Sequence, residues 1–220
     1  MQLYDQLLQF PLFQGMSRDD LAQVAGHTKF GFMKCAAGQV IVGADTPCTQ
    51  LYFLLTGHIE AETQADDRSY TVKEQLWAPY LLQPEAIYGY HQRFTHTFKA
   101  LGECSFMTIG KDEVTRLSQQ FLVFRLNLIN LYAMQTQKLL RQYFRHHPDS
   151  LAERIVRFLS QRCIYPAGPK MFYILMTQLA DEVGDSRLDV SRALNQLQDK
   201  GLLLLHRGRI EVPQMERLLM

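Results

Sequence analysis

The sequence lacks the features that mark membrane, secreted and disulfide-stapled proteins. No apolar run approaches the ~20 residues that a membrane-spanning helix needs, and the start at Met1–Asp5 has neither the basic nor the apolar region of a signal peptide. The four cysteines of the 220-residue chain stand far apart, with no Cys-x-x-Cys, which indicates reduced structural thiols. These absences predict a soluble cytoplasmic protein that makes no use of a membrane.

A strong charge of one sign is also missing, because the formal net charge is +1. Locally the balance differs: between Lys138 and Lys170, seven lysines and arginines accompany only two acids. Such a basic block attracts nucleic-acid phosphates, or it is the solvated face of a helix. The hydrophobic content of 47% is enough for real cores, in one large domain or in two small ones.

The most informative stretch runs from Thr177 to Val212. Thr177 is predicted to cap a first helix, and Gly184 ends that helix because glycine tolerates the positive φ of a helix exit. Ser186 is predicted to cap a second helix of about Arg187–Lys200. Two short helices joined by a glycine turn are the helix-turn-helix pattern. The two short strands that follow predict a hairpin, so the whole stretch indicates a winged helix.

The second helix is predicted to bury one face and to present the other. Val190, Leu194 and Leu197 follow at i, i+4 and i+7 and share the buried face. The candidates for DNA contact are Thr177, Ser186, Arg187, Leu188, Ser191, Arg192, Asn195, Arg207 and Arg209. Arg187 and Arg192 are predicted to read bases, because arginine offers two donors to guanine. The two cap residues and the two wing arginines are predicted to hold phosphates. The alternative, an αα-hairpin buried against a sheet, would not need these arginines.

The segment Leu179–Leu202 reads Leu-Ala-Asp-Glu-Val-Gly-Asp-Ser-Arg-Leu-Asp-Val-Ser-Arg-Ala-Leu and ends in Lys-Gly-Leu. It resembles the C-terminal domain of the Crp/Fnr family of bacterial transcription regulators, and the opening Pro11–Ser17 resembles the same family. The resemblance implies a homodimer that binds double-stranded DNA at an inverted repeat, with RNA polymerase as a further partner. Where the family usually has a glutamate that reads cytosine, this chain has Leu188, so its operator is expected to differ from the usual half-site.

Between Thr28 and Ile109 the sequence consists of short alternating runs divided by turns. The predicted strands are Lys29–Met33, Val40–Val42, Leu51–Leu55, His58–Glu62, Tyr70–Leu76, Thr95–Leu101 and Ser105–Ile109. Many short antiparallel strands at this spacing indicate a jelly roll, which in the family is the cyclic-nucleotide-binding fold. The predicted class is therefore α+β, with an N-terminal antiparallel β jelly-roll barrel in 1–110, a short and a long helix in 111–147, and a winged helix-turn-helix in 148–220.

The family's effector site is altered in this chain. The resemblance implies a Gly-Glu pair for the ribose and Arg-Ser-Ala or Arg-Thr-Ala for the cyclic phosphate, but the aligned positions hold Gln83-Pro84 and Phe94-Thr95-His96. Arg93 is one residue out of register and, in a strand, would face the opposite side. The candidate pocket residues are Glu85, Arg93, Thr95, Leu139 and Leu140, the two leucines standing where the family contacts adenine. Cyclic AMP is therefore not the expected effector, and the pocket suits an apolar ligand or a filled core, of which the filled core is preferred.

His91 and His96 form a His-x4-His pair, which suits a metal or haem site or, alternatively, two ordinary polar positions. We expect neither metal nor cofactor, with haem as the alternative that a haem-sensing branch of the family implies. The N-terminal cysteine group of the iron–sulfur branch is absent. The rival class is a metal-dependent jelly-roll enzyme, but three or four converging ligands are not visible, and we predict that the protein is not an enzyme.

One long helix is predicted for Phe121–His146, and it ends at His147 because proline disfavours the α region for the residue before it. Its apolar positions make two overlapping stripes, one for its own barrel and one for a partner helix. The predicted dimer stripe consists of Ile129, Tyr132, Thr136, Leu139 and Tyr143. The alternative is the core helix of a monomer.

Overall fold

The computed structural model of the protein describes residues 3–144 and 148–220 and, of Tyr143, the backbone only. The helices are α1 (Leu3–Leu7), α2 (Arg18–His27), α3 (Lys111–Gln120), α4 (Leu122–Tyr143), α5 (Leu151–Gln161), α6 (Met176–Val183), α7 (Arg187–Asp199) and α8 (Met215–Leu218), with 3₁₀ turns at Pro11–Phe13 and Pro84–Ile87. The strands are β1 (Phe30–Cys35), β2 (Val40–Val42), β3 (Gln50–Thr56), β4 (His58–Gln64), β5 (Tyr70–Trp77), β6 (Tyr80–Leu82), β7 (Thr97–Ala100), β8 (Cys104–Gly110), β9 (Lys170–Ile174), β10 (Leu204–His206) and β11 (Arg209–Val212). The predicted α+β class, with an antiparallel sheet domain, a long helix and a C-terminal helix-turn-helix, is confirmed.

The first of two compact units contains the residues up to Ile59 and Leu76–Phe144. Its antiparallel sheet has the strand order β1-β8-β3-β6, and β2 pairs with β7. Leu51 and Phe53, two residues apart on β3, share one face of the sheet and are 1% and 0% exposed. The sheet therefore has an inner, apolar face, as the predicted barrel requires.

An aromatic cluster joins the N-terminal segment and the long helix of this unit to the sheet. The ring of Phe53 meets that of Phe10 edge-on at a centroid distance of 5.0 Å. Phe13 lies 5.9 Å from Phe53 and 5.4 Å from Phe124 of α4. Edge-to-face pairs at such distances add to the stabilisation from area burial. The start of α4 is thus anchored in the core of the barrel unit.

The second unit contains Glu60–Gln75 together with the C-terminal residues 148–220. Its sheet has the order β10-β11-β9-β5-β4, and α5, α6 and α7 pack over a core that includes Ile155, Leu179 and Leu194, all at 0% exposure. The sequence places Glu60–Gln75 in the range 1–110 that was predicted to be the barrel, whereas the structure packs this hairpin with the helix-turn-helix.

The structure corrects the boundaries of several predicted elements. Tyr80–Leu82 forms a strand that the sequence did not predict, because three residues next to Pro79 are too few to show an alternating pattern. The long helix begins at Leu122 and is described to Tyr143, and its predicted end at His147 lies outside the described residues. Ser17 caps α2, since its hydroxyl accepts the N–H group of Asp20 at 3.1 Å.

Within residues 3–144 and 148–220, no helix is both long enough and apolar enough to cross a membrane.

Gly57 is the position of the barrel unit at which a side chain is least tolerated. It has φ +94°, and a Cβ atom there would lie 2.5 Å from the carbonyl oxygen of Glu103 and 2.8 Å from the sulfur of Cys104. Gly57→Ala is therefore expected to lower the free energy of unfolding by about 2–5 kcal/mol, from left-handed strain plus overpacking.

The matched control is Gly38→Ala, because Gly38 has φ +84° but no atom within 4 Å of the added Cβ. This control is expected to lose only about 1–2 kcal/mol. Chemical denaturation measures the free energy of unfolding of the barrel unit in both variants. Equal losses would show that the contact at Gly57 does not contribute to the destabilisation.

Candidate nucleic-acid interface and effector region

The turn between α6 and α7 sets the start of the second helix. Gly184 adopts a left-handed conformation with φ 65° and ψ 46°, and Asp185 donates its N–H group back to the carbonyl of Ala180 at 3.1 Å. Ser186 is extended, and its hydroxyl accepts the N–H group of Asp189 at 3.1 Å. The glycine exit and the serine cap are therefore as the sequence predicted.

Arg154 of α5 holds this turn from the side. Its guanidinium donates to the carbonyl of Val183 at 2.8 Å and pairs with the carboxylate of Asp185 at 2.6 Å. Carbonyl groups at a helix C-terminus carry partial negative charge, which a cation satisfies. Sequence reasoning missed this role, because nothing in the local pattern shows which residue of α5 faces the turn.

The basic block before the helix-turn-helix is thus in part structural. Like Arg154, Arg162 and Lys170 are held by carboxylates of the same unit, Arg162 by Glu182 at 2.7 Å and Lys170 by Glu74 at 2.9 Å. These three charges are neutralised within the fold. The sequence left open whether the block attracts phosphates or is a solvated helix face, and these three members instead make ion pairs within the unit.

Helix α7 presents the residues that the sequence predicted for DNA contact. Arg187, Leu188, Arg192 and Asn195 are exposed, and Ser191 is half-buried. The opposite face is buried in the unit's core through Val190, Ala193, Leu194 and Leu197. Burial of one face therefore turns the two arginines to the surface, as an amphipathic helix requires.

The two arginines of α7 differ in their surroundings. The guanidinium of Arg192 lies 3.1 Å from the carboxylate of Asp189, and both side chains are largely exposed. Hydrogen bonding from Ser186 and the nearby Arg192 lower the pKa of Asp189, so the carboxylate is charged at neutral pH. Arg187 makes no such pair within the part of the chain that the structure describes. Arg192 is thus oriented by its own helix, whereas Arg187 is open to a partner.

Thr177 does not cap α6, contrary to the prediction. The helix begins at Met176, and the free N–H group of Leu175 is satisfied by the side-chain oxygen of Gln178 at 3.0 Å. Thr177 therefore lies inside the first turn, where its side chain is exposed. A hydroxyl at the N-terminal end of a helix still has the position expected for a phosphate contact.

The predicted wing is formed by β10 and β11. Leu204 pairs with Glu211 and His206 with Arg209, and Gly208 has φ +74°, which the tight turn requires. Arg207 and Arg209 are exposed at and beside the tip. The wing thus carries two cations on the same unit as α7.

In the effector region the chain satisfies its own polar groups. Gln83 is buried and has φ 32°, a left-handed conformation that favours the glycine found at this position in the family. Pro84 is the first residue of the 3₁₀ turn. The side-chain amide of Gln83 donates to the hydroxyl of Thr95 at 2.8 Å, and its oxygen accepts the N–H group of Thr95 at 3.0 Å. The backbone N–H group of Thr95 and one acceptor site of its hydroxyl are therefore already bonded to Gln83.

Neither Phe94 nor Arg93 places a charged group beside Thr95. Phe94 is 1% exposed and packs against the rings of Tyr52 and Phe98. Arg93 is exposed, and its guanidinium donates to the carbonyl oxygen of Asp45. The predicted opposite orientation of Arg93 agrees with this placement, and Phe94 fills the core where the family has its arginine.

The remaining predicted pocket residues, Glu85, Leu139 and Leu140, are exposed in the single chain. Leu139 and Leu140 are 58% and 53% exposed, so the preferred filled core at these leucines is wrong. The reason lies in α4, whose early residue Phe124 is buried, whereas every residue from Met134 to Arg141 is exposed. Glu85 is exposed in the isolated chain, yet partial desolvation by the surrounding protein raises the pKa of its carboxyl group.

The long helix leaves large apolar side chains uncovered along its length. They are Leu122, Leu126, Ile129, Met134, Leu139 and Leu140, followed by Phe144 directly after the helix. Of the predicted dimer stripe, Ile129, Thr136 and Leu139 are exposed, whereas Tyr132 is half-buried and donates its hydroxyl to the carbonyl of Pro84 at 3.2 Å. The side chain of Tyr143 lies outside the described residues. An exposed apolar surface of this kind marks an interaction site.

The two histidines lie in different environments. His91 is exposed, whereas His96 is half-buried against the ring of Phe98, with ring centroids 5.9 Å apart. Burial lowers the pKa of His96 to about 4, so its imidazole is neutral at pH 7. In residues 3–144 and 148–220, no group of three or more histidine, cysteine, aspartate or glutamate side chains is arranged to hold a metal ion.

Two family models match the chain. Residues 32–121 match the cyclic nucleotide-binding domain, and residues 153–220 match the Crp-like helix-turn-helix domain. Together the two matches span more than two thirds of the chain. No curated protein matches the sequence significantly.

Solved structures with a similar fold include the Thermus thermophilus catabolite activator protein, with 20% identity, a TM-score of 0.54 and 96% of each chain covered. A transcriptional regulator of the Crp/Fnr family from Eubacterium rectale has 19% identity and a TM-score of 0.54, over 96% of this chain and 97% of that one. The sensor domain of the regulator DNR from Pseudomonas aeruginosa has 13% identity and a TM-score of 0.52, over 66% of this chain and 94% of that one. At these identities the structures show a shared fold.

The exposed arginines of α7 and the wing lead to different expected effects. Arg187→Ala and Arg192→Ala are each expected to cost about 1–3 kcal/mol of specific DNA binding and to relax base preference at one position. Arg207→Ala is expected to weaken all DNA sequences about equally and to reduce the salt slope, as loss of a phosphate contact does. Binding titrations at several salt concentrations measure these effects.

Arg217→Ala is the matched control, because it removes the same charge from an exposed position of α8. Its binding is expected to stay close to that of the unchanged protein. A uniform loss for Arg187→Ala on every DNA sequence would show that Arg187 holds a phosphate and reads no base.

Proposed function

The chain belongs to the Crp/Fnr family of DNA-binding transcription regulators, and from that premise we propose that it acts as a homodimer that reads an inverted repeat. In this proposal the two α7 helices enter successive major grooves, roughly 34 Å apart. The observation that carries it is the exposed face of α7, with Arg187 and Arg192 held outward by a buried opposite face.

Within each half-site, we assign different tasks to the exposed residues. Arg187 and Arg192 suit guanine edges, because a guanidinium presents two parallel donors. Leu188 is 60% exposed and offers only methyl groups, which suit the methyl group of thymine. They cannot accept a hydrogen bond from the amino group of cytosine. Arg207 and Arg209 on the wing suit phosphates. The preferred half-site is therefore expected to lack the cytosine contact of the usual family operator.

The homodimer is supported by the uncovered apolar side chains of α4. Leu122, Ile129 and Leu139 are each more than half exposed in the single chain, and they follow one another along a 22-residue helix. Water contact with such a stripe is unfavourable by roughly 25 cal/mol per Å² of apolar area. A second copy of the same helix, related by a two-fold axis, covers the stripe and at the same time pairs two DNA-reading helices.

The effector is proposed to be something other than cyclic AMP, or absent. A cyclic phosphate needs a cation, and Phe94 stands where the family has arginine, with Arg93 directed to Asp45. A ligand would also have to displace the amide of Gln83 from both polar groups of Thr95. Losing these two hydrogen bonds without replacement is unfavourable, because it would leave the buried amide of Gln83 without its partners.

RNA polymerase is the further partner that family membership implies, and we expect the protein to act in the cytoplasm, where bacterial DNA lies. The enzyme alternative is set aside because both family matches are to regulators. Haem on His91 or His96 is the alternative that a haem-sensing branch of the family implies, and no contact of the described residues favours it.

The dimer proposal is tested with Ile129→Glu. Ile129 is 53% exposed, so the charge leaves the core of the single chain intact, but in the dimer it would have to be buried without a partner. The variant is expected to be a folded monomer in light scattering and to bind a full inverted repeat at least about tenfold more weakly, because the second contact is lost.

Gln135→Glu is the control, because it adds the same charge at an exposed position of α4 outside the apolar stripes. It is expected to remain dimeric. A protein that is monomeric at micromolar concentration without any substitution, yet binds the full site tightly, would contradict the proposal.

The effector proposal is tested by isothermal titration of the apo protein with cyclic AMP and cyclic GMP. We expect no saturable heat up to millimolar ligand, because the phosphate would be desolvated without a guanidinium. Saturable micromolar binding that Arg93→Ala abolishes would overturn the assignment and identify Arg93 as the phosphate ligand.

A further inference from the structure

A segment of the barrel's sequence is built into the DNA-reading unit. Glu60–Gln75, which forms most of β4 and β5, lies inside the range 32–121 that matches the cyclic nucleotide-binding domain. In the structure this hairpin packs with residues 148–220. β5 pairs with β9 in antiparallel register from Tyr70 opposite Ile174 to Glu74 opposite Lys170. It thereby extends the sheet that carries the wing.

A buried ion pair lies at one end of this ladder. The side chains of Glu74 and Lys170 are both 0% exposed, and their charged atoms are 2.9 Å apart. The carboxylate of Glu74 also accepts the N–H groups of Ile164 at 2.7 Å and Tyr165 at 3.3 Å, and Lys170 donates to the carbonyl of Ala167 at 2.8 Å. A buried pair is tolerated only when its hydrogen-bonding groups are satisfied in this way, and removal of one partner is strongly unfavourable. The loop after α5 is therefore ordered by a residue of the hairpin.

The other end of the ladder reaches the first helix of the helix-turn-helix. The guanidinium of Arg162 lies 3.7 Å from the centre of the Phe158 ring and donates through Nε to the hydroxyl of Tyr70 at 2.7 Å. The same guanidinium pairs with Glu182 of α6 at 2.7 Å. Val72, between the two ends, is 0% exposed in the core that also contains α7. Tyr70, Arg162 and Glu182 thus form a chain of contacts from β5 to α6.

We propose that the β4–β5 hairpin is a positioning element of the helix-turn-helix, with Glu74 and Tyr70 as its positioning residues. They act through Lys170 and Arg162 and do not touch DNA themselves. The strands of the hairpin continue directly into His58–Ile59 and Leu76–Trp77, which belong to the barrel unit. A change in the barrel that shifts either strand therefore biases the order of α6 and α7, and with it the affinity for DNA. This regulatory role rests on the proposed function, whereas the positioning role does not.

The test is hydrogen–deuterium exchange of the full chain without DNA, read by mass spectrometry. In Glu74→Gln, one charge-assisted pair is lost, and amides in Met176–Asp199 are expected to exchange roughly ten- to a hundredfold faster. Tyr70→Phe removes only the hydroxyl that accepts from Arg162, and we expect about a two- to tenfold increase in the same segment. If Glu74→Gln does not fold, Tyr70→Phe decides alone. Peptides of β7 and β8 in the barrel unit are expected to stay unchanged.

Glu62→Gln is the matched control, because Glu62 pairs with Lys73 on the same hairpin but is 41% exposed. It is expected to leave exchange in Met176–Asp199 as it is. Exchange changes that stay within residues 60–75, or none at all in Tyr70→Phe, would overturn the proposal.

DNA titration of Tyr70→Phe then tests the link to function. We expect several-fold weaker binding at unchanged base preference, since the reading side chains are intact but less ordered. Weaker DNA binding without faster exchange would overturn the positioning role. Faster exchange in a protein that binds no inverted repeat would leave the positioning role intact and overturn the proposed function.

Discussion

The recognition surface depends on how the chain leaves α6 and enters α7. Gly184 makes the turn in a left-handed conformation, Ser186 caps α7, and Arg154 holds the carbonyl of Val183 and the carboxylate of Asp185. Because an α-helix rotates by about 100° per residue, a start shifted by one residue would turn a different set of side chains outward. The three contacts at the turn thus determine that Arg187 and Arg192 face solvent while the opposite face is buried.

The barrel unit matches the cyclic nucleotide-binding domain, but the residues at its altered effector positions bond and pack with one another. The amide of Gln83 satisfies Thr95, and Phe94 joins the aromatic core. A site whose polar groups are already paired gains little from a polar ligand. The surface left for partners lies instead on α4, where large apolar side chains are exposed, and on the DNA-reading unit.

Features encoded by neighbouring residues were predictable from the sequence, and features made by distant residues were not. The glycine exit at Gly184, the Ser186 cap and the buried face of α7 follow from residues within one or two helical turns. The pairing of Glu74 with Lys170 joins segments far apart in the chain, and no local pattern shows it. Even a local prediction failed at Thr177. The side-chain oxygen of Gln178 accepts the N–H group of Leu175, so the helix begins before Thr177. The exposure of Leu139 likewise depends on where the barrel ends beneath α4, which spacing alone does not reveal.

In the proposed dimer, two copies of α7 read one symmetric site, and this is tested by sequencing the DNA that the full chain selects from a random library. We expect one enriched motif with two-fold symmetry, whose half-sites have centres about one helical turn, 10–10.5 base pairs, apart. Arg187→Ala is predicted to broaden one position in both halves of that motif. A single unrepeated half-site, or no enriched motif at all, would show that the protein does not read DNA as a symmetric dimer.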